Sequence, residues 1–162
     1  MHIVLATALV RRDDDDGPRV LLVASRYANH PAPLWNLPGG RQLSGELLRE
    51  TAARECLEET GVAVRVGSLA YLSESYAGDA HVLNATFYAE RIGDATPSAP
   101  HERDASDHVV AVEWVALDGV ASRVTVDVVR EPLMACLEGR FEGRYAGFAD
   151  AGITIEWPSD SA

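Results

Sequence analysis

Cysteine is scarce in this chain, whose 162 residues include two, Cys56 and Cys136. They form no CxxC pair, so a disulfide framework is excluded and a reducing, cytoplasmic setting is favoured. Long apolar runs are also missing. The apolar stretch at residues 3–10 is too short to span a bilayer and lacks the basic leader of a signal peptide. We therefore expect an unanchored protein without a membrane partner.

Basic residues are outnumbered, with 14 Lys and Arg against 25 Asp and Glu, for a net charge of −11. Nucleic-acid backbones require neutralisation by basic side chains, so a general DNA or RNA binder is excluded. Two interpretations of the excess carboxylates stay open. They keep the protein soluble, or they serve a phosphate site that takes its positive charge from divalent cations.

Length and composition suit a single domain spanning residues 1–162, because 47% of the residues are apolar and 24% are charged. Apolar and β-branched patterns predict strands at residues 3–10, 20–25, 62–66, 68–75, 81–90 and 109–115. Helical spacing predicts helices at residues 47–60 and 124–137. Residues 13–17, 27–45 and 93–107 are predicted as a hairpin turn and two loops.

Strands that alternate with helices, beside a hairpin, predict an α/β domain with a mixed sheet between helical layers. The C-terminal segment at residues 139–162 contains several aromatic side chains. We expect these side chains to pack on the domain or on a partner subunit. They are Phe141, Tyr145, Phe148 and Trp157.

The helix at residues 47–60 has a marked start and end. Ser44 is the predicted N-cap, and Glu46 is expected in the first turn, where the helix dipole favours an anion. Gly61 follows the last residue, as a C′ glycine would. The face expected to pack on the sheet is small and apolar, and comprises Ala52, Ala53, Cys56 and Leu57.

Three carboxylates share another face of this helix. Glu55, Glu58 and Glu59 lie within an arc of roughly 100°, because residues three and four apart are neighbours. Their mutual repulsion must be offset by adjacent Arg54 or by a hard divalent cation such as Mg²⁺. A solvated acidic face is the alternative interpretation.

The stretch at residues 40–62 resembles the Nudix box, in which glycine, glutamate, Arg-Glu, Glu-Glu and a final glycine stand at fixed spacings. Cys56 departs from that pattern, at a position that usually holds Leu, Ile or Val, and as a small buried hydrophobe it should alter packing only. Leu37-Pro38-Gly39-Gly40 also resembles the usual approach to the box. The matching residues are Gly40, Glu46, Arg54, Glu55, Glu58, Glu59, Gly61 and Val62.

The resemblance implies the Nudix fold, an α/β/α sandwich, and hydrolysis of a nucleoside diphosphate linked to another group X. It implies Mg²⁺, with Mn²⁺ as a substitute, bound by Glu55, Glu58, Glu59 and the carbonyl of Gly40. Arg54 would orient a box carboxylate. Such metals would neutralise the diphosphate and activate an attacking water.

Other roles carried over by the resemblance are less closely fixed by the motif. Glu46 would hold the loop before the helix, or be only a helix-start carboxylate. The general base would be a box glutamate or a later acid. Glu102, Asp104 and Asp107 are the later candidates, with Asp107 preferred because of its distance from Trp114.

Substrate contacts are expected beside the box. Arg26 could meet a phosphate, Gly39 belongs to the approach, and Trp35 could stack on a base or simply pack in the core. The four histidines that could act as bases are expected to be hydrated surface residues instead; they are His30, His81, His101 and His108.

The candidate substrates are a nucleoside triphosphate first, then a nucleotide sugar or a dinucleoside polyphosphate. The other class of function is a non-catalytic Nudix-fold module that senses a nucleotide, although such modules usually lose box glutamates and this chain keeps all of them. The family often dimerises, so the resemblance allows a homodimer.

Overall fold

The computed structural model describes residues 1–100 and 108–156. Its strands are β1 (His2–Asp14), β2 (Gly17–Ser25), β3 (Leu34–Asn36), β4 (Gly39–Arg41), β5 (Val64–Ala77), β6 (Ala80–Arg91), β7 (Val109–Ala116) and β8 (Tyr145–Phe148). Its helices are α1 (Leu48–Thr60), α2 (Leu117–Arg123) and α3 (Asp127–Leu137). The predicted hairpin is present, but β1 and β2 extend to Asp14 and Gly17, so its turn is shorter than predicted.

The strand β1 lies at the centre of a mixed sheet. On one edge it runs parallel to β6, which pairs antiparallel with β5, and β8 joins β5 in parallel. On the other edge it pairs antiparallel with β4 near its start and with β2 near its end. β2 also pairs with β3 and β7. The predicted mixed sheet is confirmed.

Helices cover both faces of this sheet. Ala8 and Val10 of β1 pack in one core with Cys56 of α1. Leu9, which stands between them, packs in a second core with Leu133 of α3. Successive side chains of a strand point to opposite faces, so α1 and α3 lie on opposite sides of the sheet. This arrangement confirms the predicted α/β/α sandwich.

The helix α1 ends as predicted but begins differently. Gly61 is left-handed, with φ of 73°, and its N–H donates to the carbonyl of Leu57 at 2.9 Å. The predicted N-cap, Ser44, is wrong: the N-cap is Leu47, whose N–H donates to the Glu50 carboxylate at 2.7 Å. Glu46 precedes the helix rather than lying in its first turn.

The buried face of α1 also differs from the prediction. Ala52 and Cys56 are fully buried as expected, but Leu57 is 48% exposed and Glu59 only 3%. A helix advances about 100° per residue. Glu59 therefore lies roughly 60° from Cys56, on the side of Ala52, whereas Leu57 lies roughly 100° away on the other side. The centre of the buried face falls between Ala52 and Glu59, so one box glutamate is buried.

Several short elements were not predicted. Residues 27–45 contain β3 and β4, the two strands predicted at residues 62–66 and 68–75 are replaced by the single strand β5 (Val64–Ala77) with an irregular register, and α2 precedes α3. The predicted helix at residues 124–137 begins only at Asp127. Three-residue strands are too short to show a two-residue repeat. Their pairing with the edges of β1 and β2 defines them instead.

The segment after α3 returns to the sheet. Phe141 packs on Tyr71, with ring centroids 5.5 Å apart. The N–H of Ala151 donates to the carbonyl of Tyr76 at 2.7 Å, which fixes the start of residues 151–156 beside the end of β5. Trp157 lies outside the described residues. Within residues 1–100 and 108–156, every helix is too short or too polar to cross a lipid bilayer.

Candidate active site

Arg54 is the centre of the polar network on α1. Its Nε and Nη2 donate to the two carboxylate oxygens of Glu46 at 2.6 and 3.1 Å. Its Nη1 donates to Glu55 at 2.8 Å and to Glu58 at 3.0 Å. Nη2 also donates to the carbonyl of Arg41 at 3.1 Å. One guanidinium therefore ties the loop after β4 to two carboxylates of the helix.

The Glu46 carboxylate is held as an anion by this network. It also accepts the N–H of Leu43 at 3.2 Å and the hydroxyl of Thr51 at 2.9 Å. The Arg54 hydrogen bond, helped by these two, lowers the pKa of Glu46 to about 2. In return, the Glu46 carboxylate raises the pKa of Arg54. Both groups are ionised at neutral pH, so the loop stays fastened to the helix.

The lowered pKa of Glu46 predicts a pH-dependent contribution to stability. The carboxyl has an ordinary pKa of 4.5 and a folded-state pKa of about 2. Its contribution is therefore complete above pH 4.5 and is lost as the pH falls to about 2. At pH 7 we expect the variant Glu46→Gln to unfold at a lower urea concentration than the unaltered chain. The difference between their urea midpoints should narrow as the pH falls from 4.5 to about 2. A gap that stays constant with pH would contradict the assignment.

Glu59 connects the last turn of α1 to β4. The side chain is buried, and its Oε2 accepts the N–H of Gly39 at 2.8 Å. A buried carboxylate requires such a partner, because desolvation without one is costly. The end of the helix and the start of β4 are therefore fixed relative to each other.

The backbone of Gly40 lies against the Glu55 carboxylate. A Cβ added at Gly40 would stand 2.5 Å from both Cδ and Oε1 of Glu55. Only glycine allows this approach. Gly40 is held in place because β4 pairs with β1, where it opposes Ala6. The glycine and the glutamate, 15 positions apart in the sequence, thus form one compact group.

The three box carboxylates lie along one side of α1 but meet different partners. Glu55 and Glu58 both accept from the same nitrogen of Arg54, whereas Glu59 turns to the Gly39 N–H. In the described part of the chain, no three His, Cys, Asp or Glu side chains converge closely enough to form a metal cage. Arg54 therefore offsets part of the repulsion between Glu55 and Glu58.

A polar cleft opens beside Gly39 and Gly40. Its lining includes Thr7, Tyr71, Ser73, Glu74 and Asn84. The hydroxyl of Thr7, which lines the cleft, shares a hydrogen bond of 2.7 Å with the hydroxyl of buried Thr86. Nδ2 of Asn84 makes long contacts of 3.4 Å to both hydroxyls, and its buried Oδ1 has no partner within the described residues. That oxygen is a ready acceptor for a bound ligand.

Glu74 belongs to a polar group that the sequence did not reveal. Its Oε1 lies 2.5 Å from His81 Nε2, and its Oε2 accepts the hydroxyl of Tyr145 at 2.5 Å. These hydrogen bonds, from Tyr145 first and then His81, lower the pKa of Glu74. The Tyr76 ring stacks on His81, with centroids 4.7 Å apart. His81 is therefore not the freely hydrated residue that was predicted. The partners come from three strands, so local spacing gives no signal for them.

The predicted substrate-contact residues do not all lie at the cleft. Trp35 lines an apolar cavity that adjoins the polar cleft. Arg26 is exposed and lines a separate depression with His30 and His108. Asp107, like Glu102, Asp104 and His101, lies outside the described residues. Gly39 and Trp35 are thus near the box, and Arg26 is not among the residues that line either cavity.

A mixed sheet between helices, with a glutamate-rich helix and a glycine pair at a polar cleft, defines a Nudix-fold hydrolase. The family model of the NUDIX domain matches residues 1–135, and the chain belongs to that family. Nudix hydrolases act on pyrophosphate bonds. The family prediction made from the box is confirmed.

Known relatives support this membership. The chain is 29% identical over 114 residues to Phosphatase NudJ of Escherichia coli K12, covering 70% of this chain and 69% of the relative. The structure is similar to a MutT protein from Methanosarcina mazei, with TM-score 0.64, 24% identity and coverage of 86% and 92%. It is also similar to a NUDIX hydrolase from Nitrosomonas europaea, with TM-score 0.68, 21% identity and coverage of 97% and 98%. The last two likenesses concern the fold alone.

Proposed function

We propose that this chain is a Mg²⁺-dependent pyrophosphohydrolase, with Mn²⁺ as a substitute, that cleaves the diphosphate linkage of a nucleoside diphosphate joined to a group X. The observation that carries the proposal is the juxtaposition of Gly40 and Glu55 at the edge of the polar cleft. A backbone carbonyl, carboxylates and open space together suit a hard divalent cation and a phosphorylated ligand.

The chemistry of the donor set suits a magnesium site. Glu55, Glu58, Glu59 and the carbonyl of Gly40 would hold the ion, since all four offer the oxygen ligands that Mg²⁺ prefers. The missing Cβ of Gly40 lets the Glu55 carboxylate lie directly against the backbone, where any other residue would clash with it. When bound, Mg²⁺ would supply neutralisation of the diphosphate and activation of the attacking water.

The side chains of this protein prepare the site in three ways. Arg54 holds Glu55 and Glu58 on one side of the helix, and Glu46 fixes Arg54 in turn. Glu59 keeps the Gly39 N–H engaged, so the glycine pair stays beside the helix. Asn84 lines the cleft, and its buried amide oxygen, which has no partner among the described residues, would accept a substrate hydroxyl or amine.

The general base remains a choice between a box glutamate and Asp107. Our first candidate for the substrate is a nucleoside triphosphate, followed by a nucleotide sugar or a dinucleoside polyphosphate.

The competing function is a nucleotide-sensing module that binds without cleavage. All box glutamates are retained, and Gly40 lets the Glu55 carboxylate lie against the backbone. Both observations favour an enzyme.

A substrate panel tests the proposal. Phosphate and pyrophosphate release should be measured for nucleoside triphosphates, nucleotide sugars and dinucleoside polyphosphates, with Mg²⁺, with Mn²⁺ and with excess chelator. We expect turnover of at least one substrate, lost on chelation because the phosphate charge is no longer neutralised. Tight binding of one nucleotide with no turnover of any would favour the sensor. Turnover that survives chelation would contradict the metal requirement.

A further inference from the structure

Two histidine side chains meet at the start of the central strand β1. Nδ1 of His2 lies 3.0 Å from Nδ1 of His81. We propose that these two nitrogens bind a divalent transition metal ion of the Zn²⁺ class, at a site that shares no ligand with the box. The inference does not depend on the proposed hydrolysis, because neither histidine belongs to the proposed magnesium site.

The register of the sheet brings the two histidines together. β1 and β6 run parallel with His2 opposite His81, and β5 places Tyr76 opposite His81 on its other side. Side chains at paired positions of neighbouring strands lie on the same face of a sheet. The carbonyl of Met1 also accepts the N–H of His81 at 2.8 Å, which holds the start of β1 against β6. Backbone pairing therefore sets the distance between the two rings.

Glu74 determines which nitrogen of His81 is available to an ion. Its Oε1 lies 2.5 Å from Nε2 of His81. The hydrogen bonds from Tyr145 and His81 lower the pKa of Glu74, so its carboxylate is ionised at neutral pH and can only accept. Neutral His81 therefore carries its proton on Nε2 and keeps a lone pair on Nδ1. Metal-binding histidines typically donate their other ring N–H to a carboxylate in this way.

The separation of the two nitrogens suits a shared ion. Zn²⁺ binds imidazole nitrogen at about 2.0–2.1 Å, so two such nitrogens at angles of about 90–110° around one ion stand roughly 2.8–3.4 Å apart. The 3.0 Å between the Nδ1 atoms of His2 and His81 falls in this range. The two rings meet edge to face at 83°, with centroids 5.2 Å apart. They can therefore approach one ion without stacking on each other.

The surroundings hold one histidine and leave the other accessible. The Tyr76 ring stacks on His81 at an angle of 16°, with centroids 4.7 Å apart. The hydroxyl of Tyr145 donates to Glu74 at 2.5 Å and so fixes the carboxylate behind His81. His2 is exposed, which lets an ion enter from solvent. A ring that is already fixed loses little conformational freedom when the ion binds.

The charged groups beside the pair are an anion and a cation. The Glu74 carboxylate contacts His81. The Met1 ammonium donates to the carbonyl of Asp79 at 3.0 Å. The ammonium opposes a second cation in its neighbourhood, and the carboxylate offsets that repulsion. The two neutral imidazoles therefore provide the binding energy, rather than a concentration of negative charge.

The donor atoms distinguish this site from the proposed magnesium site. Imidazole nitrogen suits Zn²⁺, Ni²⁺ and Cu²⁺, whereas Mg²⁺ prefers oxygen. Among the residues that the structure describes, no third His, Cys, Asp or Glu side chain joins the pair as a ligand. Water would therefore complete the coordination, as in open zinc sites. A bound ion would connect the starts of β1 and β6.

Zinc titration in saturating Mg²⁺ tests the inference. Calorimetry should compare the unaltered chain with His2→Gln, His81→Gln and the control His30→Gln, which removes a histidine from a separate depression. We expect one Zn²⁺ per chain that Mg²⁺ does not displace, bound at least about tenfold more weakly by either of the first two variants. His30→Gln should bind it as the unaltered chain does.

Two further measurements do not rely on calorimetry. Zn²⁺ should raise the midpoint of thermal unfolding of the unaltered chain and of His30→Gln more than that of His2→Gln, because a ligand of the folded state stabilises it. In nitrogen NMR of the unaltered chain, the Nδ1 signals of His2 and His81 should shift on Zn²⁺ addition. This readout needs no substitution, so it holds even if a variant folds poorly.

Two outcomes would overturn the inference. Zn²⁺ binding that survives both His2→Gln and His81→Gln would place the ion elsewhere, at the box carboxylates for example. Absence of Zn²⁺ binding by the unaltered chain would leave the pair as a hydrogen bond between two imidazoles. Hydrolysis is measured separately in the substrate panel, so failure of the proposed function would be recognised there and would not affect the zinc result.

Discussion

Replacing Glu58 with glutamine is expected to lower kcat about a thousandfold on the best substrate of the panel, equivalent to roughly 4 kcal/mol of transition-state stabilisation. The physical reason is the loss of one anionic ligand from the proposed site for a divalent cation and a diphosphate. The Glu58 side chain is 55% exposed and pairs with Arg54 on the helix surface. Such a surface pair contributes little to stability, so the fold should persist.

The matched control for this variant is Glu90→Gln. Glu90 pairs with Arg65 on the sheet surface, at side-chain exposures of 77% and 74%, and the substitution removes the same charge. Steady-state kinetics and thermal unfolding of both variants should separate chemistry from stability. If Glu58→Gln kept its kcat, or if Glu90→Gln lost as much, the assignment of Glu58 would be wrong.

Replacing Arg54 with methionine should damage both stability and turnover. The guanidinium makes hydrogen bonds to Glu46, Glu55, Glu58 and the Arg41 carbonyl, and its side chain is 23% exposed. Methionine keeps much of the packing but leaves three carboxylates without their cation. We expect the free energy of unfolding to fall by about 2 kcal/mol and kcat/KM to fall about 10–100-fold, as for outer-shell partners of metal ligands.

Two further variants sharpen this prediction. Arg54→Lys restores the charge without the planar fork, so it should recover only part of the loss. Arg65→Met removes an exposed arginine and should change neither quantity. Urea unfolding and kinetics with saturating Mg²⁺ measure both effects. Full activity and stability in Arg54→Met would show that the network is incidental, and full recovery in Arg54→Lys would show that only charge matters.

Much of the site could be predicted because its residues are local in sequence. Glu55, Glu58 and Glu59 belong to one helix, whose period brings them to one side, and Gly61 ends that helix as its conformation requires. The motif also identified Gly40 and Glu46, which lie close to the helix in sequence. Their roles as metal ligands and positioning residues stay predictions, to be tested by the variants above.

The incorrect predictions share a cause, since each depended on a contact that a local pattern does not contain. Ser44 has cap chemistry, but Leu47 occupies the N-cap because Glu50 accepts its N–H. Leu57 was expected inside and Glu59 outside, yet the sheet beneath α1 sits closer to the Ala52 side. The strands β3 and β4 exist because the free edges of β2 and β1 pair with them.

The sequence by itself determined the class of protein, the acidic face of α1 and the mixed α/β fold, because helical period, turn chemistry and a spaced motif are properties of neighbouring residues. Only the tertiary structure decided that Gly40 lies against Glu55, that Glu74 meets His81 and Tyr145, and that residues 151–155 wall a pocket. The physical reason is that these groups belong to separate parts of the fold, with Gly40 on β4 beside Glu55 on α1, and with Glu74, His81 and Tyr145 on three further strands. Sheet pairing brings their atoms within contact distance, and no spacing along the chain records that pairing.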